Sequence, residues 1–301
     1  MSFRPENGER GEETEGTADE RPPAPTREPP ERRRGQPAFR PGLVPVVAGV
    51  LLLALLIGLV LLWLSYGDRA GGTSVFEDSI ETGPEPVVRL TNGPGRVSIE
   101  GAEGLENVEI SAKRYARGRN TAAAKENAAD VPVETSFDEN SALEISSDGG
   151  GGTGVDYALR LPPGTIVEVE SEAGDVEISG LDNIVTVRAQ SGDVFVEDVR
   201  GSIDIEAYRG DVTVESVSTE TGNAEITVGS GDLEIENLVV GILEARVESG
   251  DGTLLGRFSG SGLVLVETGS INVRLPSEDT NDLTFEARVG EVVREDEQGS
   301  E

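Results

Sequence analysis

Between Val167 and Glu291, apolar and polar residues alternate in short runs, and the runs recur in one frame about every 20 residues. Gly174, Gly192, Gly210, Gly231, Gly250, Gly269 and Gly290 mark the repeat, at steps of 18, 18, 21, 19, 19 and 21 residues. Seven and five positions before a marker stand Val167/Val169, Val185/Val187, Ile203/Ile205, Ala224/Ile226 and Leu243/Ala245. Two, four and seven positions after it stand Val176/Ile178/Leu181, Val194/Val196/Val199, Val212/Val214/Val217 and Leu233/Ile235/Leu238. Alternation with period two marks strands buried on one face, and the Gly-Asp pair at five markers marks a tight turn between them. A unit this small cannot cover its own apolar face. The period therefore predicts an all-β chain of stacked parallel coils, a β-solenoid or β-helix-like repeat. Gly-Asp between two strands is also a hairpin signal, which leaves an antiparallel meander or sandwich as the alternative. The in-frame columns, and the small residues three before the markers (Ser171, Ala189, Ala207), favour coils. Coils would set Val169 beside Val187 and Val176 beside Val194.

The β-region is expected over residues 86–294, with the regular repeats at 165–294 and a polar tail at 295–301. It opens with a degenerate copy, in which Val88 and Leu90 precede Gly95 and Val97 and Ile99 follow it. Residues 106–111 read as a strand. Thr121 is expected to cap an alanine-rich helix over 122–129. Residues 131–137, 142–146 and 155–161 read as strands, with a glycine-rich loop at 148–154. Pro162-Pro163-Gly164 stops the last of these before the array begins.

A different signal precedes the strands. Residues 43–64 form a 22-residue apolar run without a charge. As a helix it would be roughly 33 Å long, enough to cross a hydrocarbon core of about 30 Å. Trp63 and Tyr66 fall where it would meet the far interface, so the span is taken as 43–66. Five arginines (Arg27, Arg32, Arg33, Arg34, Arg40) lie in the 20 residues before the run and one (Arg69) in the 20 after. That imbalance predicts a single-pass protein of the cell membrane, with its N-terminus cytoplasmic and its C-terminal domain extracytoplasmic. A cleaved signal peptide fits poorly, given the long run and the 42-residue leader. Residues 1–42 are Pro-, Glu-, Arg- and Gly-rich and are expected to be a disordered cytoplasmic tail. Residues 67–85 are expected to be a flexible linker.

Charge narrows the partners. The 301 residues carry a net charge of −32, with no histidine and no cysteine. Residues 1–42 contribute eight arginines against nine acids, so the acidity lies beyond the apolar run. Such a surface repels nucleic acid and anionic headgroups, and it attracts cations and basic surfaces. Its plainest role is to keep a β-rich repeat from associating edge to edge. Without histidine the commonest general base and metal ligand are missing. No cofactor is expected.

In this order, the pieces resemble a large bacterial family of membrane-anchored proteins labelled putative adhesins. The resemblance rests on Val88-Arg89-Leu90 with Gly95-Arg96-Val97-Ser98-Ile99, on Tyr157-Ala158-Leu159-Arg160-Leu161-Pro162-Pro163-Gly164, and on the Ser-Gly-Asp turns at 191–193, 230–232 and 249–251. It covers roughly residues 86–294 and implies a β-solenoid-like domain with no defined catalytic residues. Some members are linked to cell-envelope stress signalling.

Four motifs invite chemistry. Arg209-Gly210-Asp211 spells an integrin-ligand tripeptide, but it occupies the same turn as Ala173-Gly174-Asp175 and Ser191-Gly192-Asp193, so turn geometry is the preferred account. Asp175, Asp193, Asp211, Asp232 and Asp251 would line one edge at about 4.8 Å intervals if the coils stack. They are either solvated turn residues or weak candidate ligands for a divalent cation. The loop at 148–154 lacks the lysine and the following helix of a phosphate loop. The basic cluster Lys113, Arg114, Arg117 and Arg119 is expected to pair with the acidic solenoid face, with anionic wall polymer or lipid as the alternative.

A carbohydrate-active enzyme on a β-helix would need converging carboxylates and aromatic platforms. This region has eight aromatics, and its carboxylates are spread along outward strand positions. The function expected is a non-catalytic, membrane-anchored surface that meets the cell envelope, with a cell-wall polymer or surface protein and divalent cations as candidate partners. An envelope-stress sensor is the alternative, and a β-helix enzyme the second.

Overall fold

The computed structural model describes residues 70–294, apart from 84, 220 and 277–281. The expected cytoplasmic tail, membrane span and polar tail fall outside the described residues. The chain divides into residues 1–64 and residues 65–301, and the strands belong to the second unit. Among the described residues, no helix is long and apolar enough to cross a membrane.

Seven strands and one helix precede the regular array: β1 (Ala70–Glu81), β2 (Val87–Pro94), β3 (Val97–Gly101), β4 (Asn107–Gly118), α1 (Thr121–Ala129), β5 (Glu134–Phe137), β6 (Leu143–Ser147) and β7 (Gly154–Leu161). The array follows as β8 (Ile166–Ala173), β9 (Val176–Ser179), β10 (Val185–Ala189), β11 (Val194–Glu197), β12 (Ile203–Arg209), β13 (Val212–Glu215), β14 (Asn223–Ser230), β15 (Leu233–Ser249), β16 (Gly252–Thr268), β17 (Ile271–Arg274), β18 (Asp282–Val289) and β19 (Val292–Arg294).

The array is a parallel β-solenoid. On one face β8, β10, β12 and β14 pair in sequence, followed by the second halves of β15 and β16 and then β18. On the other face run β9, β11 and β13, the first halves of β15 and β16, then β17 and β19. Val187 lies beside Val169, and Val194 beside Val176. Coils, not hairpins, join the glycine-marked strands. Antiparallel pairing among the described residues is confined to β1–β4, β4–β7 and β5–β6.

Inward positions align between the two faces. Leu90, Val169, Val187, Ile205, Ile226, Ala245 and Val264 stack coil on coil, and opposite them run Ile99, Ile178, Val196, Val214, Ile235 and Leu254. All of them are fully buried. At about 1.5–3 kcal/mol for each large apolar side chain removed from water, these columns hold the domain together. Each coil turns at its marker because the position admits no side chain. Gly192 has φ 128°, and a Cβ there would fall on the carbonyl oxygen of Gly174 one coil below.

The order of coils in space departs from their order in sequence. β2 and β3, the degenerate copy, pair with β8 and β9 on one side and with β6 and β7 on the other. The chain thus lays down its second coil first. It then passes through β4, α1 and β5, returns underneath as β6 and β7, and crosses to β8.

The stretch expected as a linker is mostly strand, since β1 pairs with β4 along its whole length. Phe76 and Ile80 pack against the core. Gly72, within that stretch, is a point of close approach: a Cβ there would fall on the backbone of Ala124 and Lys125 in α1. The helix cap also differs from expectation. Asn120 is extended (φ −155°) and its side chain accepts from the Ala123 N–H at 2.8 Å, leaving Thr121 as the first helical residue.

Candidate interaction faces

Period-two alternation that turns apolar residues inward sets the intervening residues on two outer faces. On both faces parallel coils of nearly equal length keep each outward residue beside its equivalent. On the face of β8 to β14, one outward column reads Glu170, Arg188, Glu206 and Thr227. Arg188 lies 3.6 Å from Glu206 and 4.0 Å from Asp204. Toward the C-terminal end Arg288 reaches Glu267 at 3.2 Å and Glu286 at 3.7 Å. These pairs are exposed and add little stability.

On the opposite face Glu197, Glu215 and Glu236 stand in one column on adjacent strands. Partial burial first, and then Glu236, Glu197 and Glu234, push the Glu215 carboxyl above its usual range. On the first face Asp204, Glu225 and Glu244 form a second column of acids on adjacent strands.

The turn aspartates prove to be part of the backbone hydrogen-bonding scheme. Asp193, Asp211, Asp232 and Asp251 each donate a main-chain N–H to the Oδ1 of the aspartate one coil below, at 3.3, 3.0, 2.8 and 2.8 Å. Ser270 N–H continues the ladder to Asp251 Oδ1 at 2.7 Å. Asp156 plays the same part for Arg96 N–H at 3.1 Å, and the Arg96 guanidinium reaches Asp175 at 3.1 Å. A side chain that accepts from the next coil's turn explains why aspartate recurs after the glycine. Among the described residues, no three His, Cys, Asp or Glu side chains are grouped so as to hold a metal ion. Arg209-Gly210-Asp211 belongs to the same ladder, with Asp211 both donating and accepting.

The basic cluster departs from expectation. Arg114 donates to the Ala129 carbonyl at 2.9 Å and to Ser74 Oγ at 3.0 Å, so it fastens the end of α1 to β1. Lys113, Arg117 and Arg119 form no ion pair among the described residues. The glycine-rich loop closes on itself through Thr153 and Gly150.

Two features escaped the sequence reading. Six residues after the markers Gly174, Gly192, Gly210, Gly231 and Gly250 the coil turns again, at Gly180, Asp198, Ser216, Asn237 and Gly256, all with φ between 51° and 73°. Turn-forming residue types in frame were the available signal. The other is Arg89, which bridges Glu168 at 2.8 Å and Asp138 at 2.6 Å across 79 and 49 residues of sequence. The Ala142 N–H first, and Arg89 with it, hold Asp138 below the ordinary carboxylate range. No local pattern announces that contact.

The family model of Toastrack DUF4097 matches residues 97–298. The chain belongs to that family. Among curated proteins, none matches it. Among solved structures, this Toastrack chain is similar to a putative adhesin of Bacteroides fragilis, with 14% identity and a TM-score of 0.50 over 74% of this chain and 97% of the other. A putative adhesin of Parabacteroides merdae is matched at 11% identity and a TM-score of 0.30, over 75% and 96%. A putative cell adhesion protein of Clostridium sporogenes is matched at 12% and 0.28, over 74% and 100%. At these identities the Bacteroides structure speaks for the fold alone.

Proposed function

We propose that this Toastrack chain is a non-catalytic surface for interaction with the cell envelope, anchored in the cell membrane through residues 43–66 with residues 67–301 outside. The observation that carries the reading is the pair of outer faces, on which charged and polar side chains stand in register from coil to coil. A surface of that kind suits an extended partner with a repeating charge pattern, such as a wall polymer or a basic surface protein. Catalysis calls instead for groups that converge in a cleft. The adhesin names of the structural neighbours agree with this reading, and the apolar run with its arginine imbalance supports the topology.

Protease added to intact, wall-stripped cells should digest the repeats and spare a tag at Met1; a cleaved tag with surviving repeats reverses the topology. Cross-linking from the solenoid faces in whole cells should recover wall polymer or a surface protein. Recovery of a cytoplasmic regulator on residues 1–42 would favour envelope sensing instead.

A further inference from the structure

Among the described residues, the core of the last coil is only partly covered. Leu283, Phe285 and Ala287 point inward from β18 yet are partly exposed, whereas Val264, below Phe285 in the same column, is fully buried. Among the described residues β18 pairs with β16 alone, so one edge of its backbone lacks a ladder partner. β19 is protected in another way: Arg294 takes the inward position above Val273 and lays its guanidinium 4.9 Å from the centre of the Phe285 ring. An inward charge of this kind blunts a strand edge. β18 has no such device.

We propose that the free edge of β18 pairs antiparallel with β18 of a second copy, joining two solenoids end to end about a two-fold axis at Phe285. The register follows from side-chain parity. Residues opposite each other in an antiparallel pair share a face, so inward Leu283, Phe285 and Ala287 must meet inward residues. Two registers do this over seven residues. One sets Glu286 against its own copy. The other sets Phe285 against its copy, Leu283 against Ala287, and Arg288 against Asp282 twice over. Opposite charges fall together in the second alone, and it continues the apolar columns from one copy into the next. At the N-terminal end the first coil is already covered, with β4 and β1 beyond β7 and β5 beside β6. The inference stands on the fold and is independent of the membrane anchor.

The test uses the full chain in detergent. It has no native cysteine, so Asp282→Cys combined with Arg288→Cys introduces the only thiols. Mild oxidation should convert most of the double variant to a disulfide-linked dimer. Neither single variant should form a disulfide-linked dimer, since like positions lie about 20 Å apart across the axis. By sedimentation, Asp282→Arg should weaken association about tenfold, and adding Arg288→Asp should restore it. That rescue also shows that the single variant had folded. A monomer at all concentrations, cross-linking of the single variants, or association indifferent to both charge changes would overturn the proposal.

Discussion

The two ends of the solenoid meet the same problem in opposite ways. Every coil exposes an apolar underside until another layer covers it. At the N-terminal end the chain departs from its period to make that cover: β6 and β7 slip beneath β2 and β3, β4 and β1 extend the second face in antiparallel, and α1 lies against them through Gly72 and Gly118. At the C-terminal end no such layer is seen among the described residues, with Phe285 under Arg294 and Val289 65% exposed. A repeat can lengthen without new information, but each closed end has to be encoded separately. The covered end is the irregular part of the sequence for that reason, and the bare end is the part able to accept another strand.

The contrast can be broken with substitutions. Ile205→Asp, in the middle of the array, buries an unpaired carboxylate and should cost about 4 kcal/mol in urea unfolding, whereas Phe285→Asp, measured on the dilute monomer with its end bare, should cost under about 1 kcal/mol. Equal costs would show that the last coil is covered after all. Gly72→Ala drives a methyl group into the α1 backbone and should cost about 2 kcal/mol; amide exchange should rise first in residues 121–129 while β12 stays protected. Asn120→Ala removes the cap of the same helix and should cost about 1 kcal/mol, with the melting of β18 unchanged.

The smallest effect belongs to the outer face. The Glu215 carboxyl is raised in the folded state, so the fold favours its protonated form. Its stabilising contribution is complete below the unfolded carboxyl range and is lost as pH rises through the folded value. Glu215→Gln should therefore raise stability at pH 7 by less than about half a kcal/mol, and the gap should close as the pH is lowered below 4.5. A gap that persists in acid would assign the effect to packing rather than to the line of glutamates.

Period two and the glycine markers are local signals, and they suffice for the array. Val169 beside Val187 follows from counting, because coils of equal length leave one register that keeps every inward residue inside. The faces, the glycine-marked turns and the family resemblance were legible for the same reason. The role of the turn aspartates was half legible: their column could be read, but their acceptance of the next coil's N–H needs three dimensions. Other features had no linear trace. Nothing near Arg89 foretells Asp138 and Glu168, and nothing in residues 70–81 sets Gly72 and Phe76 apart from a spacer until β4 and α1 lie against them. Nor does the sequence say that β2 and β3 sit between β7 and β9. Each strand shows by itself which face it must bury. What it is buried against at the ends depends on which distant segment covers the exposed columns, and that is decided by the whole chain at once.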